Sequence, residues 1–166
     1  MRGSDILKYL ILAAAQVLLW NFCNFTQFLT IVYLPVMILF LPVKQHSALS
    51  MLIAFATGLA VDFFAGSPLG LCSLALVPVA FLRKYIIILI FGSELYSRNE
   101  NLSVDRQGWE KIFFAIILST ALFLAVYIIA DSAGTRPVWI DLVKGTVSLL
   151  VSAPISLYIA AHLHGG

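Results

Sequence analysis

Long apolar runs, interrupted only by short polar clusters, decide what this chain can become. They can be placed at residues 6–20, 25–41, 48–65, 69–91, 111–130 and 138–162, and most approach the ~20 residues a helix needs to cross a ~30 Å hydrocarbon layer. A soluble core of this extent needs a polar coat, and a chain with 61% hydrophobic and 11% charged residues has too little polar surface to supply one. The mean hydropathy of +1.01 agrees. The expected fold is an all-α integral membrane protein: a single transmembrane domain over residues 1–166, with six helices in an antiparallel bundle and the lipid bilayer as its solvent.

The same figures exclude other classes. A net charge of +2, with Lys and Arg scattered singly or in pairs, does not make a nucleic-acid surface. The first run has the basic flank of a signal peptide in Arg2 and Lys8, but its small-residue site, Ala13-Ala14-Ala15, lies inside the run; it is read as a retained helix. Cys23 and Cys72 have no metal-ligand spacing. Both fall near the same membrane face, which leaves a disulfide open beside the commoner state of a membrane cysteine, a small buried hydrophobe.

Orientation follows from the distribution of cations. Arg2, Lys8, Lys44, Arg83, Lys84, Arg98, Arg106 and Lys111 fall on one side of the six runs, and only Arg136 and Lys144 on the other. Basic flanks are retained in the cytoplasm, so both termini and the 92–110 loop are expected there. That loop reads as a solvated connector with Trp109 at the interface, or as a docking surface for a cytoplasmic partner. Pro35, Pro78 and Pro154 lie inside the second, fourth and sixth runs and should bend them. Arg83 and Lys84 are expected to snorkel to the inner interface while residues 85–91 either extend the helix or bend along the membrane surface.

Residues 58–70, Gly-Leu-Ala-Val-Asp-Phe-Phe-Ala-Gly-Ser-Pro-Leu-Gly, place a lone carboxylate between two apolar runs. Ala54, Gly58 and Asp62 recur every four residues and share one helical face, a packing seam of the small-xxx-small kind or, less simply, a groove for a ligand. Asp62 falls near the carbonyl end of its helix, where a negative charge is disfavoured unless the next helix offers its amides. Ser67 as cap and Pro68 as first helical residue read as the start of that next helix. Asp62 is therefore expected to accept hydrogen bonds from the 66–69 turn or from the start of the fourth helix.

Residues that could carry chemistry are sparse. Asp141 and Lys144 stand three apart and should pair on one helical face. Asp62 with Asp131 or Asp141 could form an intramembrane aspartic dyad, but the glycine and asparagine context of membrane aspartic peptidases is missing. His46, His162 and His164 fall on the inner side without carboxylate neighbours. No phosphate loop, zinc-peptidase helix or serine elbow occurs, so no catalytic residue, metal or cofactor is expected.

Gly58-Leu-Ala-Val-Asp62, followed by Ser67-Pro68-Leu69-Gly70-Leu71 and Ser73-Leu74-Ala75-Leu76, resembles the rod shape-determining protein MreD family, as do the length, the six apolar segments and the basic pair in the fourth run. The resemblance implies a non-enzymatic inner-membrane scaffold of the bacterial elongation machinery. Its partners would be an MreC-like scaffold protein, the MreB filament, and RodA with its penicillin-binding transpeptidase. Ala54, Gly58, Asp62, Ser67, Pro68, Leu69 and Gly70 are then structural or partner-site candidates. The family's fold is similar to the vitamin-binding subunits of energy-coupling-factor transporters, which supplies the alternative function. Against that alternative, Ala13, Ala14 and Ala15 are followed four residues on by Val17, Leu18 and Leu19 rather than by a second alanine.

Overall fold

A computed structural model describes residues 3–23, 30–42, 46–92, 108–132 and 138–163. They form α1 (Gly3–Cys23), α2 (Leu34–Leu39), α3 (Ser47–Ala65), α4 (Leu71–Phe91), α5 (Trp109–Ser132) and α6 (Val138–Leu163). Four of these, α3, α4, α5 and α6 over Trp139–Ala161, are long and apolar enough to cross a membrane, and α1 holds a shorter apolar stretch, Tyr9–Asn21. At 1.5 Å per residue the 19 residues of α3 and 21 of α4 reach about 28 and 31 Å, the thickness of the hydrocarbon layer. The outward faces of these four long helices carry Leu52, Phe63, Leu89, Ile129 and Leu150, bare apolar side chains that lipid can solvate. The chain is an all-α membrane protein.

The helices pack in chain order, α1 on α3, α3 on α4, α4 on α5 and α5 on α6, with α2 enclosed against α4, α5 and α1. The larger apolar core gathers Trp20, Tyr33, Val61, Leu76, Val79, Phe123 and Tyr127; a second, around Leu39, Ile87, Ile112 and Ile116, surrounds the end of α2. Trp20 meets Tyr127 edge-on at 5.8 Å between centroids and Phe123 stacks on Tyr127 at 5.7 Å, tying α1 to α5.

The expected helix over 25–41 is the main departure. Residues 30–33 are not helical, and among the described residues of this run helix is confined to the six of α2, every one of them buried. Residues 24–29 lie outside the described residues. Pro35 does not bend a long helix but sits in the first turn of a short one, where its missing N–H costs nothing. Pro78 and Pro154 do lie inside continuous helices, as expected, and α4 runs on through residues 85–91 to Phe91.

Candidate functional site

The α3–α4 corner collects the residues singled out in the sequence. Ala54 and Asp62 are fully buried and Gly58 is buried between them on the face of α3 that meets α4. At Gly58 the two backbones nearly touch: a Cβ there would lie 2.5 Å from Ser73 N and 2.6 Å from Ser73 Cα. The Ser73 hydroxyl donates to Phe55 O at 2.9 Å and fastens the crossing. Since the obstructing atoms are backbone, Gly58→Ala must push the helices apart. It should destabilise the protein by about 1–3 kcal/mol, the usual range for overpacking, measured as a lowered thermal midpoint in detergent micelles.

One turn further, the Asp62 carboxylate reaches across to the start of α4. Oδ2 accepts the Gly70 N–H at 2.9 Å and the Cys72 N–H at 3.0 Å, and Oδ1 lies 3.3 Å from the same Cys72 nitrogen. These are free amides of the first turn of α4, so an acid from one helix caps the next and its charge meets a favourable dipole. The expected role of Asp62 holds, with two differences of detail. α4 begins at Leu71 rather than at Pro68, and its N-cap is Gly70 rather than Ser67. Ser67, Pro68 and Leu69 form the connecting turn, in which Ser67 N–H donates to Asp62 O and Leu71 N–H to Pro68 O. The turn is bracketed by Gly66 at φ 66° and Gly70 at φ 98°, where a side chain would be strained.

A second constellation was not expected. The backbone of residues 30–33 runs between α1 and α6, and its polar groups are met by side chains. On the α1 edge, Gln16 Nε2 and Trp20 Nε1 both donate to Ile31 O at 2.9 Å, and Tyr33 N–H donates to Gln16 Oε1 at 3.1 Å. On the α6 edge, Thr30 N–H donates to Ser148 Oγ at 2.9 Å and Val32 N–H to Ser152 Oγ at 3.1 Å. Alternate residues thus bond to opposite sides, as in a central strand of a sheet, but both neighbours are helices. Buried non-helical backbone is tolerated only where protein satisfies its polar groups, which is what these four side chains do.

The far end of α2 is closed by Arg83, which is buried rather than snorkelling. Its Nε donates to Leu39 O at 3.0 Å, Nη1 to Pro42 O at 3.4 Å, and Nη2 to Leu41 O. The guanidinium supplies several donors to carbonyls that a helix end leaves open. Lys84, next to it, is exposed.

Sequence reading missed Gln16, Trp20, Ser148, Ser152 and the clamping role of Arg83. A usable signal existed: Ser148, Ser152 and Ser156 repeat every four residues in an apolar helix, and Thr30-Ile31-Val32-Tyr33 is a strand-forming run directly before Leu34-Pro35.

The remaining charged candidates resolve differently. Lys144 pairs with Asp131 at 3.0 Å, across from α6 to α5, and lies 5.9 Å from the Tyr127 ring centroid. The expected Asp141–Lys144 pair is replaced by this one, and Asp141 Oδ1 is buried without a hydrogen-bond partner among the described residues. Cys72 is a buried free thiol, not a disulfide half; the Cys23 side chain, Arg136, the side chains of His162 and His164, and most of the 92–110 loop lie outside the described residues. His46 is exposed at the start of α3, and Trp109 at the start of α5 is 55% exposed, as suits an interfacial side chain. Among the described residues no three His, Cys, Asp or Glu side chains gather into a metal-ligand set.

Comparison with family models, curated proteins and solved structures finds no match to the chain. Fold and site together define a class: a membrane-embedded helical protein with a carboxylate-capped hairpin and an internal non-helical segment held by side chains.

Proposed function

We propose that this protein is a non-enzymatic scaffold subunit of the bacterial cell-elongation machinery, an inner-membrane protein of the MreD kind that binds an MreC-like partner. Through that partner it would be linked to the MreB filament and to RodA with its penicillin-binding transpeptidase. The supporting observation is how the family-like residues are used. Gly58 provides a backbone crossing, Asp62 caps α4, and Pro68, Leu69 and Gly70 make the turn, so this segment builds a rigid corner and leaves no carboxylate open for catalysis. A rigid corner with lipid-facing apolar flanks suits close packing against a partner's transmembrane helix.

In this reading the chain crosses the membrane six times with both termini cytoplasmic, as the cation distribution implies, in a bundle like that of energy-coupling-factor vitamin-binding subunits. The second crossing would then be composite, the non-helical residues 30–33 continued by α2. That composite crossing also favours the alternative, a vitamin-binding transporter subunit, because interrupted membrane segments commonly frame substrate sites. An aspartic peptidase is disfavoured, since Asp62, common to both candidate dyads, holds the Gly70 and Cys72 amides, whatever the state of Asp131 or Asp141.

Depletion in a rod-shaped host should produce round cells, and purification from native membranes in mild detergent should bring down the MreC-like protein. Cells that stay rod-shaped after verified loss of the protein would overturn the scaffold reading. A co-purifying ATPase with a bound small molecule would establish the transporter reading instead.

A further inference from the structure

The α6 edge of the internal non-helical segment has a regular construction. Four residues of helix rise about 6.0 Å and two residues of strand about 6.6 Å, so serines every fourth residue of α6 can meet N–H groups at every second residue of a strand beside it. Ser148 takes Thr30 N–H and Ser152 takes Val32 N–H. Continued through an extended Tyr33, the same register would bring Leu34 N–H to the level of Ser156. Ser156 is 0% exposed, and its hydroxyl has no hydrogen-bond partner among the described residues. The chain leaves that path at Tyr33, whose ψ is 4°, and is helical from Leu34.

Leu34 also stands immediately before Pro35, and a proline ring favours an extended backbone at the residue preceding it. Two independent features, a buried hydroxyl at the next rung and a proline next in sequence, therefore suit an extended Leu34.

We infer that residues 30–34 and α2 form a two-state element: in a second state Tyr33 opens from ψ 4° to an extended conformation, Leu34 leaves α2, and the Leu34 N–H is donated to Ser156. Tyr33 O then releases Val36 N–H, now at 3.0 Å, and the longer 3.4 Å contact from Met37 N–H, while Leu34 becomes the N-cap residue and its carbonyl takes up the new first turn. Pro35 becomes the first helical residue, the position proline prefers. The conversion lengthens the path by about 1.8 Å, the difference between strand and helix rise, and the slack is delivered along α2 to the carbonyls held by Arg83. A change at the α1–α6 seam would thus be felt at the opposite end of α2. The inference rests on that seam and stands or falls apart from the scaffold reading.

The experiment is solid-state NMR on the full chain in lipid bilayers, with carbon-13 label in leucine and nitrogen-15 label in proline. The Leu34-Pro35 pair is picked out from the Leu41-Pro42 pair by its loss in Pro35→Ala. Leu34 carbon shifts distinguish helical from extended backbone. The expected result is an extended Leu34 component beside the helical one in the wild type, which vanishes in Ser156→Ala and persists in Ser156→Thr, which keeps the hydroxyl. A single Leu34 signal in the wild type, helical or extended, or an extended component that survives Ser156→Ala, overturns the proposal.

Discussion

Arg83→Met should destabilise the protein by about 3 kcal/mol or more, lowering the thermal midpoint by about 6–12 °C for a chain of this size. The guanidinium donates to Leu39 O, Leu41 O and Pro42 O, where α2 ends inside the bundle. Methionine fills much of the same volume and removes every donor, so the loss reflects stranded carbonyls rather than a cavity. A buried polar group deprived of its partner costs about 1–3 kcal/mol, and local relaxation recovers part of that. Arg83→Lys should recover less than half of the loss, because a single ammonium cannot reproduce a planar fork reaching three carbonyls. Thermal unfolding of the two variants in one detergent checks both statements; equal stability of wild type and Arg83→Met would show that the carbonyls find other donors.

The buried position of Arg83 also shows where the sequence ceased to be legible. Hydropathy reports which environment a residue prefers, so the apolar runs located α3, α4, α5 and α6 nearly to their ends. It does not report where backbone hydrogen bonds go. An apolar run such as 25–41 fits a buried helix and a buried strand alike, and only the Thr-Ile-Val-Tyr composition ahead of Leu34-Pro35 tips residues 30–33 toward strand. Partners distant in the chain were legible only where geometry left one choice. Asp62, at the end of α3 with the next helix starting a few residues on, had one set of amides within reach. Lys144 had both a local and a remote acid available, and it took Asp131 of α5 rather than Asp141 of its own helix. The start of α4 was placed three residues early because Ser67-Pro68 satisfies every local rule for a helix start; the actual cap is delivered from another helix.

Asp62→Leu tests that inter-helical cap, and it should cost about 3–5 kcal/mol. Charge-assisted hydrogen bonds contribute roughly 1.5–3 kcal/mol each, and leucine abolishes those to Gly70 N–H and Cys72 N–H while leaving both amides in an apolar corner. Stability alone would not show where the damage lies, but Cys72 reports it directly. Its thiol is fully buried and its own amide is one of the two capped groups. Fraying of the first turn of α4 should therefore expose it. In a Cys23→Ser background, maleimide labelling in bilayers should be negligible with Asp62 present and fast in Asp62→Leu. Asp62→Asn should fall between the two, since its carbonyl oxygen can take the place of Oδ2 toward both amides but carries no charge, and its NH₂ then stands where Oδ1 faced the Cys72 N–H. A protected Cys72 thiol in Asp62→Leu, with stability changed by less than about 1 kcal/mol, would mean that the tight Gly58 crossing holds the corner without the carboxylate. Labelling that follows the series Asp, Asn, Leu would instead assign the corner to the carboxylate.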